Sequence, residues 1–528
     1  MTQAERKTGS RLREPRVLFC RAARSGQNMP TGPQGDYLKV TQYSLLTGAT
    51  GLVGRYLLRD MLLNGHQMAL IVRPSRRESA RQRVEGICQF WEREIGSAMP
   101  RPVVLEGNIS DPNLGLSKED TDWIGTHCSR IIHNAAILEF FGKDRNREPW
   151  RTNLGGTQNV LDLCKQVNLT DMHYVSTAYV AGLQDGVVME DSLEAGQSFR
   201  NDYEESKYEA EQLVRNADFL TKTTVYRPAV IAGDSNTGYT STYHGLYLYF
   251  RLMSMMIPEV PVGEDGLRHT PVKLAMTGRE NRNIIPVEWV SEVIARLLDT
   301  PEAHGQTFHL APEVPMKSGD MIRWSADYYG STGVQFCGDD PDFEVDKQEE
   351  EFANTLIPQL FTYKAYETTD NTYDMTNLKK FLPDLPSPAI DETVIRRYLD
   401  FGEADKWGKT KAPKVEVDFD VHNHVTDAST GLASVDGTIG LDISGPGGGQ
   451  FTLGLSGSQV AQVTPGLPVE DTPVLRMHVE EFSALCSDPN ADASKLQDRW
   501  QGEANARVTE QAAQALFPMS LAGAEKQQ

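Results

Sequence analysis

Tyr203 and Lys207 stand four positions apart in the run Tyr-Glu-Glu-Ser-Lys. On a helix that spacing puts both side chains on one face. Proton transfer needs such a pair. A phenol titrates near about 10 and is a poor acid or base at neutral pH, but an adjacent ammonium favours the phenolate and lowers its pKa. The pattern is short, and two packed surface residues would also produce it. A second candidate group lies upstream, where Ser176 and Thr177 end the run Met172–Val175. A hydroxyl at the C-terminal end of a strand sits where open α/β sheets bind ligands. Either one could hydrogen-bond a substrate carbonyl, or merely cap the strand.

Thr47-Gly48-Ala49-Thr50-Gly51-Leu52-Val53-Gly54 follows an apolar run and opens a helical one. That is the setting of a dinucleotide-binding loop. Gly48 permits the tight turn, Gly51 lets backbone approach a pyrophosphate, and Gly54 lets helix pack on strand. Thr50, Leu52 and Val53 complete the contact. The helix N-terminus then faces the phosphates with free N–H groups. The next apolar run ends Val72-Arg73-Pro74. An NAD site would usually carry Asp or Glu there for the ribose 2′-hydroxyl. Here Arg73 is followed by Arg76, Arg77, Arg81 and Arg83. Guanidinium groups suit a 2′-phosphate, so NADPH is the expected cofactor. A solvated helix face accounts for some of the five.

These groups need a scaffold. From Tyr43 onward, short apolar strands alternate with helical stretches, which implies βαβ units and a Rossmann-type, doubly wound parallel sheet. The strands are expected at Tyr43–Leu46, Met68–Val72, Val103–Leu105, Arg130–His133, Met172–Val175 and Thr224–Tyr226. Leu57, Leu58, Met61 and Leu62 fall at helical spacing, and Asn64-Gly65 supplies a stop. The α/β part is expected over 41–402. A smaller substrate-binding region falls at about 234–285 and 300–402. The segment Tyr243 to Pro258 is dense in Tyr, Leu, Met and Phe; it reads either as the floor of an acyl channel or as an ordinary core helix. Residues 338–352 are acidic, 403–424 read as a linker, and 425–520 form a separate small α+β domain before a tail at 521–528.

Acidic residues outnumber basic ones, 73 against 52, for a net charge of −21. That balance repels phosphate backbones and argues against a nucleic-acid partner. No apolar run approaches the length of a membrane span, and the start of the chain has no apolar signal segment, so a cytoplasmic location is expected. The six cysteines are scattered, with no metal-site spacing and no disulfide framework. Six arginines and a lysine precede Met29. Residues 1–40 read as a disordered basic arm, a targeting arm, or sequence upstream of a true start at Met29.

Thr47–Gly54, His133-Asn134-Ala135-Ala136, Asn153-Leu154-Gly155-Gly156-Thr157, Ser176–Tyr179, Tyr203–Lys207 and Arg227-Pro228 come in an order that resembles the extended short-chain dehydrogenases. Three features narrow the resemblance to thioester reductase domains and fatty acyl reductases. Arg73 and Arg83 resemble that group's 2′-phosphate grip. Gly107-Asn108-Ile109 resembles its loop after the third strand, with Asn108 in place of the usual Asp. Pro286-Val287-Glu288-Trp289-Val290 resembles its late signature. The resemblance implies that Thr177 orients the substrate carbonyl, Tyr203 donates a proton, and Lys207 supports Tyr203 and the ribose. It further implies that Ala135 and Ala136 line the adenosine side, that Pro228 and Val230 pack near the nicotinamide, and that Asn153 holds the sheet's edge. The implied reaction is NADPH-dependent reduction of a hydrophobic, carrier-bound acyl thioester; the alternative is an extended dehydrogenase acting on a hydroxysteroid or sugar nucleotide.

The run Gly440–Gly445 through Gln450–Leu453, with Val474–Val479 and Glu481–Leu485, resembles the type-two sterol carrier proteins, although Trp500-Gln501-Gly502-Glu503 departs from their usual ending. That resemblance implies an apolar tunnel for lipid. A packing or dimerising module is the other reading. Peripheral membrane contact and a homodimer both fit this picture.

Overall fold

The computed structural model describes residues 42–340, 366, 368–469, 472–488, 493–502 and 506–517. The basic arm 1–40, most of the acidic stretch 338–352 and the tail 521–528 lie outside them. Seven strands build the main sheet: β1 (Tyr43–Thr47), β2 (Gln67–Val72), β3 (Val103–Glu106), β4 (Cys128–His133), β5 (Asp171–Val175), β6 (Lys222–Pro228) and β7 (Thr307–Leu310). Their order is β7-β6-β5-β4-β1-β2-β3, parallel throughout. The winding reverses between β1 and β4, which opens a crevice at the C-terminal ends of the strands.

The main helices are α1 (Leu52–Leu63), α2 (Ala80–Ile95), α3 (Lys118–His127), α4 (Gly156–Gln166), α5 (Asp202–Arg215), α6 (Leu246–Met256), α7 (Val287–Leu298), α8 (Ser318–Tyr328) and α9 (Glu392–Ala404). Leu46, Leu70 and Ile132 face α1, α2 and α7, while Leu45, Ile71 and Ile131 face α3, α4 and α5. Burial on both faces is why these strands read as apolar runs without alternation. Leu57, Leu58, Met61 and Leu62 are all buried on α1, and Gly65, with φ +85, follows its end. The seventh strand was not expected. Thr307-Phe308-His309-Leu310 is too short and mixed to stand out, but Phe308 and Leu310 are fully buried where β7 joins the sheet edge. Beyond the sheet, α6, α8 and α9 share a second apolar core through Phe250, Ile322, Ile395 and Leu399.

The C-terminal part has its own five-stranded sheet: β8 (Gly437–Ser444), β9 (Gly449–Ser456), β10 (Gln459–Pro465), β11 (Val474–His478) and β12 (Trp500–Gln501), in the order β10-β9-β8-β11-β12. Ile439, Leu441, Ile443, Leu453 and Leu455 turn inward onto Phe482 and Phe517. The other side meets the main sheet. Tyr43 donates its hydroxyl hydrogen to Gln450 at 2.8 Å and accepts from the Leu467 N–H at 2.9 Å. Gln450 donates in turn to Gln67 at 2.7 Å, and the Trp123 indole donates to the Pro465 carbonyl at 2.7 Å. The segment expected as a linker is in contact with α2: Gln89 donates to the Glu416 carbonyl, and Arg81 pairs with Asp420. Among the described residues no helix is long and apolar enough to cross a membrane.

One ionic cluster ties α5 to the sheet. Arg227, on β6, and Glu211, on α5, have no exposed side-chain surface. Glu211 accepts from Arg227 at 2.7 Å, Arg215 at 2.8 Å and the Ser176 hydroxyl at 2.6 Å. Burial alone would raise the Glu211 pKa, but Arg227, Arg215 and Ser176 outweigh it and hold the carboxyl below its ordinary 4.5. A depressed carboxylate stabilises the fold fully above about pH 4.5 and loses that contribution as pH falls through the lower folded value. Removing Arg227 would leave a buried charge short of its main partner. In urea unfolding at neutral pH, Arg227→Leu is expected to cost about 3–5 kcal/mol, and Glu211→Gln in the same background is expected to recover part of it. A loss below about 1 kcal/mol would show that the cluster does not hold α5.

Candidate active site

The glycine loop is built from close approaches that exclude side chains. Gly48 has φ +76, and a Cβ there would lie 2.7 Å from the Ala135 nitrogen. A Cβ on Gly54 would lie 2.1 Å from the Gly48 carbonyl oxygen. The start of α1 carries no side-chain cap, so its first N–H groups are left for a ligand. The Asn134 side chain donates to the Gly48 carbonyl at 3.3 Å, which ties the loop to the end of β4. A dinucleotide's pyrophosphate fits this cradle because backbone alone forms its wall.

A cavity of about 650 Å³ opens over the loop. Gly48, Thr50, Gly51, Leu52, Val53, Arg73, Asn108, Ile109, Ala135, Ala136, Thr177, Tyr203, Lys207, Pro228 and Val230 all line it. Two expected residues do not. Gly54 sits behind the loop as packing. Arg83 stands behind Arg73, donating to the Arg73 carbonyl at 2.5 Å and to the Thr50 hydroxyl at 3.2 Å. Burial first, then the neighbouring Arg73 and Arg55 charges, lower the Arg83 pKa, with Glu78 acting against them. Like charges gathered beside Thr50 are an environment that an anion would relieve. Of the other arginines, Arg81 pairs with Asp420, while Arg76 and Arg77 are exposed.

Lys207 is buried on α5, facing the C-terminal end of β5. Its ammonium donates to the Tyr174 hydroxyl and to the Val175 carbonyl, both at 2.9 Å. Burial lowers its pKa to about 7, against the pull of Glu211, so its charge is poised near neutrality. Tyr203 is half-buried one turn earlier on the same face. Asn201 caps α5 by accepting from the Glu204 N–H at 3.1 Å. The two hydroxyls left open by the sequence part company. Ser176 gives its hydrogen to Glu211 at 2.6 Å. Thr177 caps the short turn Ala178–Ala181, accepting from the Tyr179 N–H at 3.3 Å, and faces the cavity.

Asn153 is not at the sheet's edge. It is buried between the loop after β4 and α5, where it accepts from the Ile137 N–H and donates to the Ile137 carbonyl and the Ser206 hydroxyl at 2.9, 3.1 and 3.0 Å. It fixes α5 instead. The residues that motif reading missed are Tyr174 and Glu211 beneath the site and an apolar wall of Met276, Ile284, Met321 and Ile322. Glu211 lies one helical step beyond Lys207 on the same face, so extending the Tyr203/Lys207 spacing would have found it. The wall comes from separate segments with no shared motif. The apolar segment from Tyr243 divides: Leu246, Tyr247 and Tyr249 line the cavity, Phe250 is core, and Met255 is 39% exposed.

Residues 46–294 match the NAD-binding family described as male sterility protein. That stretch resembles the extended short-chain dehydrogenases/reductases of the thioester-reductase branch. Its glycine loop and cavity have the form of a nicotinamide-dinucleotide site. Among curated proteins, the chain is 26% identical over 407 residues to the non-canonical nonribosomal peptide synthetase hkm10 of Aspergillus hancockii, covering 70% of this chain and 38% of that one. It is 27% identical over 412 residues to the aldehyde reductase lnaA of Aspergillus flavus, covering 70% and 37%. The chain thus spans less than two fifths of either relative. The terminal R domain of the myxalamid PKS-NRPS pathway shares the fold, with a TM-score of 0.56 and 24% identity, over 71% of this chain and 93% of that domain.

The Gly54 approach leaves no room for a methyl group. Gly54→Ala is expected to abolish dinucleotide binding in a fluorescence titration while circular dichroism still reports a folded chain. Binding within about threefold of wild type would show that the loop can shift aside.

Proposed function

We propose that this chain is a cytoplasmic, NADPH-dependent reductase of hydrophobic acyl thioesters, carried on coenzyme A or a carrier protein, that yields an aldehyde or, after a second round, an alcohol. One observation carries the reading: a single cavity joins the glycine loop, the trio Thr177, Tyr203 and Lys207, and the apolar wall around Met321 and Ile322. NADPH bound along the loop would supply the hydride to the thioester carbonyl carbon. Tyr203 gives its proton to the carbonyl oxygen, and the Thr177 hydroxyl steadies the same oxygen as charge develops on it. Lys207 favours the phenolate that Tyr203 becomes and reaches the ribose. The resulting hemithioacetal collapses to aldehyde and free thiol. The apolar wall takes the acyl chain, where Met side chains adapt to a flexible guest.

Arg73 and Arg83 support NADPH over NADH. No carboxylate stands at the end of β2, and the Arg83 guanidinium donates to the Thr50 hydroxyl of the glycine loop, which supports an anion there. The C-terminal sheet meets the opposite ends of the strands from Thr177, at Tyr43 and Gln67. That placement favours a packing module over a lipid donor.

Each charge-assisted contact to the 2′-phosphate is worth about 1.5–3 kcal/mol. Arg73→Ala and Arg83→Ala are each expected to weaken NADPH binding about 10- to 100-fold while changing NADH binding little. Equal affinities for the two nucleotides in the wild type would refute the NADPH assignment. With a panel of acyl thioesters and aldehydes, NADPH consumption is expected, and Tyr203→Phe should slow it about 10²- to 10⁴-fold. No turnover of any thioester or aldehyde would overturn the reductase reading.

A further inference from the structure

Asp171 and His173 share one face of β5, and His304 meets them from the segment just before β7. The ligand atoms of the three residues all lie within 4.8 Å of one another. His173 Nε2 is 3.5 Å from Asp171 Oδ1, and His304 Nδ1 is 4.0 Å from Asp171 Oδ2. His173 has no exposed side-chain surface, His304 has 4% and Asp171 has 20%. Asp171 Oδ1 and His173 Nε2 are buried without a hydrogen-bond partner. Orphaned buried polar atoms are rare and call for an explanation.

Both atoms point into the space that the three side chains enclose. The far nitrogens are already engaged. His304 Nε2 lies 3.2 Å from the Leu298 carbonyl. A carbonyl only accepts, so Nε2 carries the hydrogen and Nδ1 presents its lone pair toward Asp171. His173 Nδ1 lies 2.9 Å from the Tyr226 hydroxyl, which can accept its hydrogen and leave the Nε2 lone pair free. Outer hydrogen bonds of this kind orient metal-bound histidines.

We propose that Asp171, His173 and His304 form a site for a divalent transition-metal ion, zinc above others. Zinc takes nitrogen and carboxylate ligands at about 2.0–2.1 Å, which sets tetrahedral donors about 3.3 Å apart. The 3.5 Å separation of His173 and Asp171 is close to that already. Asp171 keeps the site open to solvent, which admits a water as fourth ligand. Asp171 opens β5, and His304 leads into β7, with β6 between them. The ion would staple the N-terminal side of the sheet's edge, at the far end of the strands from the reaction cavity. It is therefore a structural site, independent of the thioester-reductase reading.

Full-length protein stripped with a chelator tests this by titration with Zn²⁺ in a calorimeter and with Co²⁺ by visible absorption. Expected are about one equivalent bound, tetrahedral Co²⁺ d–d bands without thiolate charge transfer, and a melting temperature that rises with Zn²⁺. Asp171→Asn and His304→Gln should each weaken binding about tenfold or more with NADPH affinity unchanged. His269→Gln, which breaks an exposed His/Asp pair, should leave metal binding intact. The proposal is overturned if the wild type binds no metal, if Asp171→Asn and His304→Gln bind as well as wild type, or if His269→Gln removes the binding. Where a variant fails to fold, the wild-type Co²⁺ spectrum and stoichiometry decide alone.

Discussion

A carboxylate sealed away from water must be held by donors on several sides, and few arrangements of the surrounding chain can supply them. Glu211 is such a group. Its donors come from β6, from the loop after β5 and from its own helix. Satisfying them fixes how α5 rolls against the sheet. Tyr203, Lys207 and Glu211 fall at successive helical steps, so the roll that buries Glu211 also aims the other two at the cavity. Asn153 adds a second constraint through Ser206. The geometry of the cavity is here a by-product of solvation, and Ser176 illustrates the cost: its hydroxyl serves the carboxylate, which leaves Thr177 to face the cavity.

The two ends of the cavity use opposite strategies. At the glycine loop, side chains are excluded so that backbone can approach a ligand. Around Thr50, guanidinium groups are gathered although they repel one another. Beside Lys207, burial weakens a charge that water would otherwise stabilise. Each of these is unfavourable for the empty protein, and each has the shape or sign of a bound group.

The sequence was most informative where one local rule suffices. Glycines between strand and helix, a Tyr/Lys pair at helical spacing and apolar strands buried on both faces were all visible, and the six expected strands lie within the observed ones. It was least informative where partners come from distant segments. β7 carries only two apolar side chains and is a strand because β6 offers an edge. The family resemblance implied a place for Asn153 at the sheet's edge, yet its amide bridges the loop after β4 and helix α5. Asp171, His173 and His304 show no ligand spacing at all, since a sheet brings them together. The apolar wall of the cavity is equally scattered, from Met276 to Ile322, and no periodicity links its parts.

β1 is only five residues long. Its first residue, Tyr43, is gripped by Gln450 and Leu467 of the C-terminal part. Its last, Thr47, bonds His133 at 2.7 Å and leads straight into the glycine loop. The strand is thus a tie-rod about 16 Å long between the C-terminal part and the glycine loop. Whatever shifts the seating of the C-terminal sheet pulls on the same rigid element that sets the height of the phosphate cradle.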